Sequence, residues 1–465
     1  MAMGRSVFWR LLGALLTLPL LGAVAWAAPL TLEQALDRAL ADNPALAESR
    51  ARIVQAQAAL EESRAAFWPT LDARLEYLRA DAPSAYLFKT IDARRLPAEV
   101  DFNDPGRFDN LETSLAARLN LYSGGQDRLR RDQADLRLEQ ARQGSLALEN
   151  DLRAAVADTF LALLTARDLV DIARQSVLTL EREVELAQVR FAGGGLLRSE
   201  WLSLEVRLAE ARRDEVRARA AERRLQAALG ALLGVGTDVS WEPVDSPSDF
   251  IPPPDCDAAL RLARRQRPEL ARAAQDLEIA RLEQGVARAA YLPRLDLEAR
   301  LYHDDPDLAY DDNRLNWTLG AQLNWNLFSG FATRARQAQA AGKRVESSAA
   351  LRRLSLEIEL EVRHAWLALE EAAAVEAWAE AARVQAKQAF AQVQTRFAGG
   401  AAEVTRYLEA ELALNRSRVN AASAGRDRQR ALFALARALG AERTPAQASP
   451  ENSFPPERQA HGSDP

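Results

Sequence analysis

The side chains best suited to nucleophilic or metal chemistry are few in this sequence. One cysteine, Cys256, and three histidines occur among 465 residues. No two of them have the short spacing that metal sites use, and a single cysteine cannot form an intrachain disulfide. The signatures GxxxxGKS/T, HExxH and GxSxG do not occur. We therefore expect no catalytic residue, no metal and no cofactor, and we interpret His303 and His364 as bystanders.

Composition and the N-terminus narrow the class of protein. With 48% hydrophobic and 27% charged residues the chain is not disordered, and its net charge of -6 gives no argument for binding nucleic acid. Residues 1–27 read as a signal peptide, with Arg5 and Arg10 before an apolar run and Ala25-Trp26-Ala27 as the cleavage site. The alternative is an uncleaved membrane anchor. After residue 27 no charge-free run is long enough for a membrane helix.

One stretch alternates with strand period and places all its large apolar side chains on one face. Between residues 315 and 328 that face carries Leu315, Trp317, Leu319, Leu323, Trp325 and Leu327, and no charge. Similar alternation predicts strands at about 70–79, 111–122 and 294–302, while 80–110, rich in proline, reads as a long external loop. The sequence therefore predicts four strands.

Strands of about ten residues have the length of tilted transmembrane strands. A charge on a lipid-facing side would cost roughly 2–4 kcal/mol at mid-membrane, so the clean segregation favours a lipid face. A half-buried sheet of a soluble domain is the alternative. Four strands cannot close a barrel, and open edges in lipid leave backbone groups unpaired. If these strands span a membrane, several copies of the chain must combine them.

The rest of the chain is helical and organised as two related halves. RFAGG at 190–194 recurs at 396–400, each time between long helical patterns, and the strand–helix order also recurs. We interpret residues 28–234 and 257–440 as a duplicated domain, 235–256 as a proline-rich connector and 441–465 as a disordered tail. The helix expected from Gln126 to Arg190 would be close to 100 Å long. Its charged surface indicates that it stands in water.

The strand ending in LYSGG or LFSG before a long helix, with the doubled RFAGG turn, resembles the TolC family of outer-membrane efflux proteins. The resemblance covers about residues 30–440. It implies an α+β membrane protein in which three chains form a 12-stranded barrel in the outer membrane, continued by a periplasmic tunnel of coiled-coil helices. It also implies partners: two further copies of this chain, outer-membrane lipid, a periplasmic adaptor protein and an inner-membrane pump.

The resemblance also assigns roles to the two RFAGG segments, which would be the tips of helical hairpins at 190–202 and 396–408. The residues implied in adaptor docking are Arg190, Phe191, Gly193, Gly194, Arg396, Phe397, Gly399 and Gly400. Two acidic residues ring the closed pore in the family, and the corresponding positions here are Glu200 in the first half and Arg406 and Glu409 in the second. Because one of the latter is arginine, Arg406 and Glu409 could instead neutralise each other.

The function expected from these features is a passive outer-membrane exit duct of a tripartite efflux or type I secretion system. Such a duct needs no catalytic residue, because the pump supplies the energy and chooses the cargo. The alternative is a soluble periplasmic coiled-coil scaffold or adaptor. The two differ in the apolar strand face, which only the duct would expose to lipid.

Overall fold

The structure, a computed structural model, describes residues 28–101, 103–245, 250–305 and 315–440. The predicted signal peptide (1–27), the predicted disordered tail (441–465) and His461 lie outside these residues. The helices are α1 (Leu32–Asp42), α2 (Pro44–Arg64), α3 (Pro83–Asp92), α4 (Gln126–Ala192), α5 (Arg198–Leu232), α6 (Cys256–Gln266), α7 (Pro268–Ala289), α8 (Ala332–Ala398) and α9 (Val404–Leu439). The strands are β1 (Ala28–Leu30), β2 (Thr70–Ala80), β3 (Phe108–Tyr122), β4 (Trp241–Pro243), β5 (Arg294–Asp305) and β6 (Leu315–Asn324).

Two very long helices dominate the molecule. Helices α4 and α8 each have 67 residues, about 100 Å at 1.5 Å per residue. After each of them a short glycine-containing turn reverses the direction of the chain, so that α4 packs along α5 and α8 along α9. The shorter α2 packs on α4, and α7 contacts both α4 and α8. The result is two helical hairpins side by side, extended by α2 and α7.

Short helices pack against the middle of each hairpin and close two hydrophobic cores. Helix α1, capped by reciprocal bonds between Thr31 and Gln34, contributes Leu32 and Ala39 to the first core with α4 and α5. Helix α6, capped by Asp255, contributes to the second core with α8 and α9. The apolar stripes of α4 and α8 lie in these cores, where Val156 and Val362 are fully buried. The short helices therefore fasten the hairpins at mid-length.

The connector between the halves is more ordered than a purely extended segment. Strand β4 lies within the predicted connector 235–256 and pairs in parallel with β1, which joins the beginning of the described chain to its middle. Trp241 is buried in the first core. Helix α6 already starts at Cys256, because the Asp255 side chain caps its first turn by accepting from the Ala258 N–H at 2.6 Å. The described connector thus includes a strand and ends one residue earlier than expected.

The four remaining strands form one antiparallel sheet in the order β2-β3-β5-β6. Its register places Leu71, Ala117, Ala299 and Leu319 in one row across all four strands. The neighbouring row on the opposite face contains Asp72, Ala116, Arg300 and Thr318. The alternation seen in each strand is therefore shared by the whole sheet, which has one apolar and one polar face.

Two expectations at the sheet are wrong. Strand β6 ends at Asn324 instead of 328, because its partner β5 starts at Arg294, after a proline that has no N–H to donate. Trp325 and Leu327, predicted as strand residues, therefore follow the strand. The predicted loop 80–110 contains helix α3, whose first residue is Pro83, a position where proline is well tolerated.

None of the described helices is long and apolar enough to cross a membrane.

Candidate functional site

The two RFAGG tips have the same backbone geometry. In the first, the amides of Gly193, Gly194 and Gly195 donate to the carbonyls of Val189, Phe191 and Arg190. In the second, the amides of Gly399, Gly400 and Ala401 donate to the carbonyls of the matching residues, Thr395, Phe397 and Arg396. Gly194 and Gly400 both have φ of +74°, a conformation that glycine adopts without strain. The predicted tip glycines thus end α4 and α8 in identical turns.

A buried aromatic cluster joins the tips. Phe397 packs against Tyr407 with ring centroids 4.9 Å apart, and both side chains are buried. They share one core with Leu204 and Ala187 from the first hairpin. Burial raises the pKa of Tyr407 far above its usual range, and the nearby carboxylates of Glu183 and Glu411 act in the same direction. Tyr407 is therefore a neutral packing residue.

The first tip is more open than the second. Phe191 stacks on Trp201 at 5.6 Å, the same pairing that Phe397 makes with Tyr407, but Phe191 remains 37% exposed. Phe397, by contrast, is 5% exposed. Of the two aromatic side chains predicted at the tips, only Phe191 is therefore available to a further surface.

Arg190 ties the first tip to the second. Its guanidinium donates to the carbonyl oxygens of Phe397 at 3.1 Å and Ala398 at 2.8 Å. It also lies over the Phe397 ring, 5.4 Å from the centroid. A cation at the C-terminal end of a helix also complements its dipole. Arg190 is thus engaged within the chain, and its implied role in adaptor docking stays a prediction.

The three residues predicted at a pore constriction differ in their local contacts. Arg406 donates to the Glu409 carboxylate at 3.2 Å, and both side chains are exposed, as expected for a self-neutralising pair. The Glu200 carboxylate accepts from the Leu197 backbone amide at 3.0 Å in the first turn of α5. Glu200 therefore caps a helix, and its carboxylate is partly occupied by that contact.

A buried ion pair just beyond the tips was not predicted from the sequence. The Arg207 guanidinium on α5 donates to the Glu411 carboxylate on α9 at 3.0 Å, and the Ser176 hydroxyl donates to the same carboxylate at 2.7 Å. Glu411 is 4% exposed. The feature of the sequence that indicates this ion pair is the position of Glu411 on the apolar stripe of α9, between Tyr407 and Leu414. A charge on such a stripe indicates a buried partner.

The apolar face of the sheet is exposed in the single chain. On β6 the predicted residues Leu315, Trp317, Leu319 and Leu323 are exposed, Trp317 to 72%. Trp325 and Leu327, just after the strand, are also exposed, and the Trp325 indole donates to the Tyr291 carbonyl at 2.9 Å. A contiguous apolar surface of this extent indicates contact with lipid or protein.

The polar face of the sheet is partly covered by α3, a helix that the sequence did not predict. The Lys89 ammonium donates to Glu112 at 2.5 Å and to Asp304 at 2.9 Å, and both carboxylates are buried. Arg300 pairs with Glu112, and the Asn110 amide donates to Asp304 at 2.7 Å. Helix α3 is thus fixed to the sheet by a buried network of charges.

The cysteine and histidine side chains considered for metal or nucleophilic chemistry lie on different elements of the fold. Cys256 is half-buried beside the second core, His364 is exposed on α8, and His303 lies on β5. In the part of the chain that the structure describes, no three metal-ligating side chains come together. The candidate functional features are therefore the sheet and the tips, at opposite ends of the long helices.

Known proteins resemble this chain in both sequence and fold. A family model described as outer membrane efflux protein matches residues 35–235 and 259–441. Protein CyaE of Bordetella pertussis is 29% identical over 433 residues, covering 90% of this chain and 88% of that protein. The pyoverdine export outer membrane protein OpmQ of Pseudomonas aeruginosa is 25% identical over 412 residues, covering 88% of this chain and 85% of that protein.

Solved structures show the same fold. The outer membrane protein VceC of Vibrio cholerae has a TM-score of 0.76 at 20% identity, covering 88% of this chain and 96% of that one. The open state of the MtrE outer membrane channel of Neisseria gonorrhoeae has a TM-score of 0.72 at 19% identity, covering 88% of both chains.

Proposed function

Because this chain belongs to the outer membrane efflux protein family, a family of outer-membrane transport channels, we propose that it forms the passive exit duct of a tripartite efflux or type I secretion system. Cargo would pass from an inner-membrane pump, through the tunnel and across the outer membrane. The pump supplies energy and selectivity, and the duct itself catalyses no reaction. Residues 1–27 would direct export and be removed.

The observation that carries this proposal is the four-stranded sheet with one exposed apolar face and two open edges. Strands β2 and β6 form the edges, and the antiparallel order makes them run in opposite directions. The β6 edge of one copy can therefore pair antiparallel with the β2 edge of the next. Three copies would close a 12-stranded barrel with the apolar face toward lipid and the polar face toward the lumen.

The helical hairpins would form the periplasmic tunnel of the same homotrimer. The matching lengths of α4 and α8 and the identical tip turns support a duplicated domain, 28–234 and 257–440. We propose that the tips meet the periplasmic adaptor, with the glycines 193, 194, 399 and 400 forming the contact surface. Arg190 and Phe397 hold that surface in shape. Arg406 and Glu409, with Glu200, would line the periplasmic constriction.

A pair of substitutions on β6 tests the duct. Leu319→Arg puts a charge on the proposed lipid face, at a cost of roughly 2–4 kcal/mol in mid-membrane. Gln322→Arg, on the opposite face, lies beside its register partner Asp296 and is the matched control. We expect Leu319→Arg to reduce the heat-modifiable oligomer in outer-membrane extracts and Gln322→Arg to preserve it. Normal membrane assembly of Leu319→Arg would favour a soluble periplasmic scaffold instead.

A further inference from the structure

The Arg190 guanidinium donates to carbonyls at the end of α8. Because the RFAGG segment is repeated, a corresponding arginine and corresponding carbonyls occur elsewhere in the chain. The donor recurs as Arg396, the arginine of the second RFAGG segment. Arg396 is exposed, and within the described ranges its guanidinium has no hydrogen bond or ion pair. The second tip thus presents a guanidinium like that of Arg190 but without an acceptor in the described part of its own chain.

The acceptor recurs at the C-terminal end of α4. Arg190 binds the carbonyls of Phe397 and Ala398, where α8 ends. The corresponding carbonyls of Phe191 and Ala192 stand at the end of α4, in a turn with the same three hydrogen bonds and the same glycine φ. Phe191 and Ala192 are exposed. The first tip therefore offers the surface that Arg190 recognises, and nothing in the described chain occupies it.

From these two observations we infer that Arg396 of one copy caps the C-terminal end of α4 in the next copy, donating to the carbonyls of Phe191 and Ala192. The occupant of the open first tip is thus a second copy of this chain. The inference rests on the proposed function, because it requires the copies to form a closed ring.

The repeated geometry gives the physical reason for this assignment. Within one chain, Arg190 of the first tip reaches the second tip beside it. In a ring the second tip stands beside the first tip of the next copy, so the same displacement brings Arg396 to Phe191. The guanidinium would also lie over the exposed Phe191 ring, as Arg190 lies over Phe397. A continuous belt of arginine contacts would then join all the hairpin tips.

Crosslinking tests the inference in the full-length protein with Cys256→Ser. The test pair is Arg396→Cys with Ala192→Cys, treated with a short bis-maleimide. The matched control pair is Arg190→Cys with Ala398→Cys, whose members touch within one chain. We expect the test pair to give covalent dimers and trimers on denaturing gels, and the control pair to give crosslinked monomers alone.

Native mass spectrometry and channel conductance of the same samples distinguish failure of the Arg396 contact from failure of the proposed duct. Oligomeric, conducting protein with crosslinked control monomers but no covalent oligomers from the test pair would overturn the Arg396 contact and leave the duct intact. Monomeric, non-conducting protein would overturn both. As a second measurement, Arg396→Lys should lower the temperature at which the oligomer dissociates, because an ammonium lacks the planar fork of a guanidinium. An unchanged dissociation temperature for both Arg396→Lys and Arg396→Ala would also contradict the contact.

Discussion

Arg207 on α5 and Glu411 on α9 form a buried ion pair, 3.0 Å from nitrogen to oxygen, that joins the two hairpins near their tips. Arg207→Met leaves the Glu411 carboxylate buried without its cation, which costs about 3–5 kcal/mol. We expect a matching loss in the free energy of unfolding, measured by urea titration of the helical circular dichroism signal. The double variant Arg207→Met with Glu411→Leu removes both charges and should recover most of the loss. Equal stability of the single and double variants would contradict this account.

Lys89 holds α3 against the polar face of the sheet. Lys89→Met leaves Glu112 and Asp304 without the ammonium that bridges them. We expect α3 to detach more often, so that its backbone amides exchange with deuterium about ten times faster. The matched control is Phe88→Ala, because that neighbouring side chain is exposed and its removal should leave exchange unchanged. If α3 exchanged at the wild-type rate in Lys89→Met, the charged network would not be what fixes it.

If α3 lies in the lumen, as the proposed barrel requires, the same variant should also widen the outer mouth. Lys89→Met would then raise single-channel conductance in a planar bilayer, whereas Phe88→Ala would not. An unchanged conductance together with faster exchange would place α3 away from the conducting path.

Gly234 lies where the end of α5 meets the junction of α1 and α2. Its φ is +73°, and a Cβ there would lie 2.5 Å from the Asp42 carbonyl oxygen. Gly234→Ala should therefore cost more than the roughly 1–2 kcal/mol of the left-handed conformation alone. Gly236→Ala is the matched control, because its φ is also positive but no atom lies within 4 Å of its Cβ. Equal thermal midpoints for the two variants would argue against a close backbone approach.

Asp168 on α4 makes stability depend on pH. Burial raises the pKa of Asp168, while Arg426 at 3.7 Å opposes the shift. Because the folded pKa is above the unfolded value of about 3.9, the ionised carboxylate disfavours folding, and this cost grows as pH rises through the folded pKa. Asp168→Asn should thus raise the thermal midpoint slightly at neutral pH and lose this advantage near pH ~4. Parallel midpoint profiles for the two proteins would exclude this linkage.

Arg406 and Glu409 decide the charge of the proposed periplasmic constriction. Their exposed pair contributes little stability, so Arg406→Asp should fold normally and replace a neutral pair by two carboxylates. We expect higher cation selectivity in planar-bilayer recordings. Arg52→Asp, an equal charge change on the exposed surface of α2, is the control. Unchanged selectivity of Arg406→Asp would remove this residue from the pore.

The sequence was sufficient where a pattern is local and repeated. Strand alternation gave the two faces of the sheet, because side chains at i and i+2 must share a face. The RFAGG segments gave the turns at the tips, because only a glycine at 194 or 400 accepts a φ of +74° without strain. The long helices followed from the long helical patterns on either side of each RFAGG segment. The incomplete sheet also predicted, from four strands alone, that one copy cannot be sufficient in a membrane.

Tertiary structure decided the contacts between residues far apart in the chain. Lys89 reads as an ordinary loop lysine until α3 folds onto Glu112 and Asp304. Glu411 stands on an apolar stripe, but only the folded structure shows that its partner is Arg207. Strand β6 stops at Asn324 because its neighbour β5 starts only after Pro293. The alternation of side chains within β6 carries no information about where its neighbour starts. Arg190 and Arg396 each begin an RFAGG segment, yet among the residues that the structure describes only the Arg190 guanidinium has an acceptor. Local sequence specifies which donors exist, and packing determines which acceptors they meet.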